Sequence, residues 1–231
     1  MVNIANIAKT LTFAVAAGAL ALGLAAPAGA AASQLTYGDP TAAAQFWRQQ
    51  QYDDCVLMSS ADVIGEITGV QPSEHDIIAK AQSTPSVVHP GPIYTKPAAT
   101  SNPESGDGAN TADIPALLAQ YKVGAVLSDK DDVAQTGTPA GIVGLERALG
   151  GGHKVIVSLN AELIWHQRVE DKGKDGRPES NHAVVVTGVD TAAGIVHLND
   201  SGTPEGRDEQ IPLGLFVESW ETSNELMVVT T

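Results

Sequence analysis

Three apolar runs in the second half of the chain constrain the fold most strongly. They are Lys154–Leu159, Ala183–Val189 and Gly194–Leu198, all short and rich in β-branched residues. Runs of this length and composition predict buried strands. Only a few residues separate the last two runs, which favours an antiparallel pair joined by a turn. We therefore expect the second half of the chain to form an antiparallel sheet.

The first half of the chain has helical patterns instead. Apolar residues recur every three or four positions from Cys55 to Thr68, and Gly69 follows as a stop signal. Ser73 is typical of the N-cap of a second short helix. Helices followed by antiparallel strands indicate an α+β fold. Further predicted elements are a helix at Ile114–Tyr121, a strand at Gly124–Leu127, a helix at Pro139–Leu149 and a short helix at Leu215–Trp220.

Three segments lack a periodic pattern. Residues 31–44 are mostly small and predict an irregular tail. Residues 83–113 are rich in proline and glycine and predict a long loop, which in a compact domain is often functional. Residues 170–181 form a polar insertion before the strand at Ala183–Val189.

The N-terminus has the pattern of a secretory signal peptide. Lys9 precedes an apolar stretch from Leu11 to Leu24, and Ala28-Gly29-Ala30 offers a small-residue cleavage site. The stretch is shorter than the roughly 20 residues that span a bilayer, although an uncleaved anchor is the alternative. We expect a signal peptide over residues 1–30, a domain over residues 31–231, and a secreted or cell-envelope location.

The chain is strongly acidic. It has 27 Asp and Glu against 13 Lys and Arg, a formal net charge of −14. Such a surface repels nucleic acid and anionic lipid. We therefore expect neither nucleic acid nor a membrane as a stable partner.

The single cysteine belongs to a constellation that suggests chemistry. Cys55 follows glutamines 49–51 and opens a predicted helix, while His182 begins a predicted strand. Asn199 and Asp200 end the next strand. A helix start and an imidazolium both favour a reactive thiolate, although Asp53 and Asp54 oppose it. A papain-type thiol hydrolase uses these residue types in this order.

Each role has an alternative at this level. Only one of Asn199 and Asp200 can easily face His182, because adjacent side chains of a strand point to opposite faces. A glutamine before the cysteine could donate to an oxyanion together with the Cys55 backbone N–H. Read singly, Cys55 would be a buried structural thiol and His182 a core histidine.

The chain resembles the C39-like peptidases, in their branch of secreted bacterial proteins with a papain-like fold. The resemblance covers most of residues 45–230. It is carried by Phe46-Trp47-Arg48-Gln49 through Cys55, Gly152-His153-Lys154-Val155-Ile156-Val157, Asn181-His182-Ala183-Val184-Val185-Val186-Thr187-Gly188-Val189-Asp190, Val196-His197-Leu198-Asn199-Asp200, and Ile211-Pro212-Leu213 to Phe216 and Trp220.

The resemblance implies a cysteine peptidase or amide hydrolase acting on a peptide or protein substrate. The histidines show no metal-ligand spacing and the chain has one cysteine, so we expect no metal, and we expect no cofactor. The resemblance also implies Cys55 as nucleophile, His182 as base, Asp200 as orienting acid and Gln49 as oxyanion donor, with Gln50 as a close rival. Two alternatives remain: a hydrolase of cell-wall peptides, and a catalytically silent papain-fold protein that binds an extracellular partner.

Overall fold

The computed structural model describes residues 36–97 and 108–231, which belong to one compact unit. The predicted signal peptide and cleavage site lie outside the described residues. The helices are α1 Pro40–Ala43, α2 Cys55–Thr68, α3 Glu74–Ser83, α4 Ile114–Ala119, α5 Val133–Thr136, α6 Gly141–Gly150, α7 Ala161–Ile164 and α8 Leu213–Glu221. The strands are β1 Thr36–Gly38, β2 Ala125–Ser128, β3 Val155–Leu159, β4 His182–Asp190, β5 Ile195–Asn199, β6 Glu209–Pro212 and β7 Met227–Thr230.

The strands described form one antiparallel sheet. Its order is β2-β7-β3-β4-β5-β6, and β1 pairs with the far end of β4. Strand β4 is central and buried along its whole length. Adjacent residues of a strand point to opposite faces, and here both faces are covered by helices. The predicted α+β class is therefore confirmed.

One face of the sheet packs against α2, α3 and α4. Ala183 and Val185 of β4 join Leu57 and Ile64 of α2 in this core cluster. The other face packs against α6 and α8, where Val184 joins residues of both helices. This alternation explains why β4 reads as a continuous apolar run rather than as a half-polar strand.

Helix α2 has the predicted bounds. It begins at Cys55, and Gly69 ends it in a left-handed conformation with φ of 75° and an N–H bonded to the Gly65 carbonyl. Residues Val56 to Gly65 are all buried, so the helix is a core element and its first residue is held firmly. The cap of α3 is also confirmed, because Ser73 accepts a hydrogen bond from the Asp76 N–H.

The prediction of an irregular tail over residues 31–44 is wrong for its described part. Thr36–Gly38 forms β1, and Asp39 caps α1 by accepting the Ala42 N–H at 3.0 Å. A strand of three residues is too short to show a period. It forms because β4 extends beyond β3 and offers an edge to pair with.

No helix within residues 36–97 and 108–231 combines the length and the hydropathy needed to traverse a bilayer.

Candidate active site

A cleft of about 800 Å³ contains both the cysteine and the histidine. Cys55 is the first residue of α2, and His182 is the first residue of β4. Asp200 directly follows β5 and is fully buried. Because β4 packs on α2 and pairs with β5, these chain-distant side chains meet at one end of the sheet.

His182 and Asp200 form a short hydrogen bond. The ring Nε2 lies 2.6 Å from Asp200 Oδ1. Asp200 also accepts the Gly202 backbone N–H at 2.7 Å and the Trp165 indole N–H at 2.9 Å. Burial by itself would raise the pKa of Asp200, but the charge of His182 and these hydrogen bonds outweigh it and lower that pKa. Asp200 is therefore ionised at neutral pH.

The environment of His182 favours its protonated form. Burial alone would lower the pKa of His182, but the charges of Asp200 and Cys55 and their hydrogen bonds outweigh it and raise that pKa to about 10. Nε2 faces Asp200, which leaves the other ring nitrogen for the sulfur. The arrangement suits a thiolate–imidazolium pair.

Asn199 faces away from His182. Its Nδ2 donates to the Ala43 carbonyl at 3.0 Å and to Asp62 Oδ2 at 2.8 Å. The alternation between Asn199 and Asp200 follows from their consecutive positions at the end of β5. The structure brings Asp200, not Asn199, to the histidine.

The glutamines separate clearly. Gln50 lines the cleft that contains Cys55, whereas Gln49 is exposed and lines another cavity beside Arg48 and Met58. The Gln50 N–H donates to the Ser201 carbonyl at 2.9 Å, and Gln50 Oε1 accepts from Ser201 Oγ at 2.8 Å. This pairing next to Asp200 fixes which side chain turns inward. The structure therefore does not bring Gln49 to Cys55, and Gln50 replaces it as the candidate donor.

The two aspartates before Cys55 differ in their surroundings. Asp53 accepts the Tyr94 hydroxyl at 2.6 Å and the Gly108 N–H at 2.9 Å. Asp54 is fully buried, and its carboxyl has no hydrogen-bond partner among the described residues. Burial, and then the charges of Glu74 and Asp53, raise the pKa of Asp54 to about 7. Below pH 7 Asp54 is therefore mostly protonated, and there it opposes a thiolate at Cys55 only weakly.

Glu209, at the start of β6, is a further carboxyl close to Asp200 and His182. Its Oε2 is buried without a hydrogen-bond partner in the described chain. Burial, and then the charge of Asp200, raise the pKa of Glu209 to about 7. Nothing in the sequence distinguishes this residue from a surface acid of a strand.

Trp165 and Gly202 complete the surroundings of His182. The Trp165 and His182 rings are 5.2 Å apart between centroids and tilted by 58°. A Cβ on Gly202 would lie 2.8 Å from the Trp165 ring and 3.0 Å from His182 Cε1, so only glycine fits without displacement. Sequence reasoning missed both residues, because a tryptophan after a short helix and a glycine in a turn have common structural roles.

Comparison with solved structures identifies the type of fold. A Bacillus anthracis protein assigned as a C39-like peptidase aligns with a TM-score of 0.57 and 19% identity over 85% of this chain and 98% of that one. A double-glycine-motif protease of an AMS/PCAT transporter, solved with a leader peptide, aligns with a TM-score of only 0.43 at 15% identity over 79% and 87% of the two chains. The chain has the papain-like fold of the C39-like peptidases.

Relatives in sequence are mycobacterial. Uncharacterized proteins of Mycobacterium tuberculosis and Mycobacterium bovis are 65% identical to the chain over 229 residues, which is 99% of this chain and 98% of theirs. The chain belongs to the family of these mycobacterial proteins. No protein-family model matches it.

Proposed function

We propose that the protein is an exported cysteine peptidase or amide hydrolase. Cys55 is the nucleophile, His182 transfers protons, Asp200 orients the imidazole and Gln50 donates to the oxyanion. The observation that carries this proposal is the 2.6 Å hydrogen bond between Asp200 and His182 in the wall of a cleft shared with Cys55. Export is part of the proposal on the strength of residues 1–30 alone.

The first half of the reaction forms an acyl-enzyme. The Cys55 thiolate attacks the carbonyl carbon of the scissile amide, and the electron pair of the C=O bond moves to oxygen. The Cys55 backbone N–H, which a helix start leaves without an intrahelical partner, and the Gln50 amide donate to that oxygen. The C–N bond then breaks, and the leaving amine takes a proton from the His182 imidazolium.

The second half of the reaction releases the acid. Neutral His182 removes a proton from water, whose oxygen attacks the thioester carbonyl. The C–S bond breaks, and the sulfur returns to its thiolate form opposite the imidazolium. Asp200 stays ionised throughout, because three donors satisfy it.

Alkylation of Cys55 tests the proposal directly, because the chain has only one cysteine. We expect iodoacetamide to modify the native protein at pH 6 at least about tenfold faster than it modifies glutathione, since an ordinary thiol is mostly protonated there. The same modification should abolish hydrolysis of peptide substrates. Mass spectrometry of the intact exported protein measures the label, and a mature N-terminus near Ala31 is expected in the same spectrum.

The control compares loss of His182 with loss of a histidine that lies outside the site. His182→Ala should slow the alkylation, whereas His75→Ala should not, because the His75 side chain is 91% exposed at the start of α3. If the native protein resists iodoacetamide until it is denatured, with the wild type and His182→Ala alike, Cys55 is a structural thiol. The extracellular binding protein then becomes the better interpretation.

Trp165→Phe should shift the pH dependence of hydrolysis. The change removes the indole N–H that helps to keep the pKa of Asp200 low, so the acid limb of kcat/KM should move to higher pH. A hydrogen bond to a charged group contributes on the order of 1.5–3 kcal/mol, and we expect kcat/KM to fall about tenfold. Trp47→Phe is the matched control, because the Trp47 indole donates to the backbone carbonyl of Asp200 instead. An equal shift of the acid limb in both variants would contradict this role.

A further inference from the structure

The wall of the cleft carries more acidic than basic side chains. Apart from the Cys55 and His182 pair, the ionisable side chains that line it are Asp53 and Asp171. No lysine or arginine is among the described lining residues. The remaining wall is mainly small or hydrogen-bonding, with Ser158, Ser180 and Asn181 on the side of the histidine.

Both the backbone and the side chain of Asp171 form hydrogen bonds that hold it in place. Its N–H donates to Glu162 Oε2 at 3.2 Å, and its carbonyl accepts the Glu179 N–H at 3.1 Å. Its Oδ2 accepts the Asn181 side-chain N–H at 2.6 Å. Asn181 directly precedes His182, so the polar insertion that contains Asp171 is fastened beside the base.

Neither carboxylate is neutralised by a cation of the described chain. Asp53 is bound by a hydroxyl and a backbone N–H, and the donor to Asp171 is an amide. Asp171 is exposed and lines the cleft, and no ion pair joins it to a lysine or arginine of the described residues. A positively charged group in the cleft would therefore gain a favourable interaction with both carboxylates, while an anion would be repelled.

We propose that the cleft selects substrates with a positive charge next to the scissile amide, and that Asp171 is the residue that determines this preference. The inference rests on the proposed function and adds a substrate class to it. The recognised group is an ammonium or guanidinium, supplied either by a basic side chain or by a free α-amino group. The shared chemistry is a cation within reach of the Asp171 carboxylate.

Charged thiol reagents test the charge of the cleft without requiring turnover. Two methanethiosulfonates of similar size, one with a trimethylammonium group and one with a sulfonate group, form a disulfide with Cys55 and release methanesulfinate. We expect the cationic reagent to react faster. The ratio of the two rates should fall about fivefold in Asp171→Asn, and it should fall in the wild type at high salt, which screens charges.

Asp175→Asn is the matched control variant. Asp175 lies in the same insertion, is exposed like Asp171, and its substitution removes the same charge, but it faces Arg177 at 3.6 Å and does not line the cleft. The ratio in this variant should stay close to that of the wild type. An equal fall in both variants would mean that the net charge of the protein, not Asp171, attracts the cation, and would overturn the proposal. A ratio near one in the wild type would overturn it as well.

Peptide substrates distinguish the two sources of the cation. One set carries lysine or norleucine beside the scissile bond behind an acetylated N-terminus, and the other has a free or acetylated N-terminus without a basic side chain. We expect kcat/KM to be several-fold higher for the cationic member of at least one set, and this preference to be lost in Asp171→Asn. Equal values within both sets would contradict the proposal. If no peptide is cleaved while the reagent ratio still depends on Asp171, the proposed hydrolase fails and the charge selectivity of the cleft stands.

Discussion

Asp200→Asn should lower kcat by about 10²- to 10⁴-fold while the fold remains intact. An asparagine has nearly the same shape, but it has no charge to hold the His182 imidazolium. Its amide also replaces one acceptor oxygen with a donor, although His182, Gly202 and Trp165 all donate to this side chain. Steady-state kinetics and thermal unfolding of the same preparation measure the two effects separately.

Asn199→Ala, at the adjacent position, should lower the stability of the protein but change kcat little. The change removes the donor to Ala43 and to Asp62 in the core, so we expect the free energy of unfolding to fall by about 1–3 kcal/mol. The kcat of the folded variant should stay within a few-fold of the wild type. A larger loss of kcat in Asn199→Ala than in Asp200→Asn would show that the assignment of the orienting residue is wrong.

The protein should be most stable near pH 5 and markedly less stable at pH 8. The pKa values of Asp54 and Glu209 are raised to about 7 by burial and then by neighbouring carboxylates, and that of Asp62 is also raised. The folded state therefore binds more protons than the unfolded state above pH 4. The contribution of these protonated carboxyls to the free energy of unfolding is lost as pH rises through 7. The raised pKa of His182 acts in the same direction toward pH 10. The lowered pKa of Asp200 acts oppositely, since its contribution is lost only below pH 4.

The size of this effect is large enough to measure by calorimetry. One pKa unit corresponds to about 1.4 kcal/mol, and the pKa of each of the two carboxyls lies about two units above pH 5, so together they cost on the order of 5 kcal/mol between pH 5 and pH 8. For a chain of this length the melting temperature should fall by about 10–20 °C. The double variant Asp54→Asn, Glu209→Gln should flatten the curve, because its amides do not ionise. A melting temperature that rises from pH 5 to pH 8 would contradict the prediction.

The sequence was sufficient for the elements whose residues pack in a regular period. Helix α2 is predicted to the residue, because its apolar residues recur at helical spacing and Gly69 adopts the left-handed conformation that ends it. The strands β3, β4 and β5 follow from β-branched runs that are buried on the sheet. The positions of Cys55 and His182 at the starts of two such elements come from the same patterns.

Other features depend on contacts between distant residues and leave no local pattern. Gln50 rather than Gln49 lines the cleft, and its bonds to Ser201, which is far along the chain, hold it there. Strand β1 exists only because β4 is longer than β3. The buried state of Asp54 follows from packing at the entry to α2, which no local pattern of the sequence predicts.

The two bonds accepted by Asp53 have a consequence for how such a chain can diversify. Tyr94 and Gly108 are 14 positions apart in the chain, and both donate a hydrogen bond to this one carboxylate, two positions before Cys55. The distance between Tyr94 and Gly108 is therefore set by their bonds to Asp53 and not by the residues that connect them. Lengthening or exchanging the joining stretch costs little in loop-closure entropy and leaves Cys55 where it is. A segment beside the cleft can therefore be replaced so that the substrate preference changes while the positions of Cys55 and Asp53 stay the same.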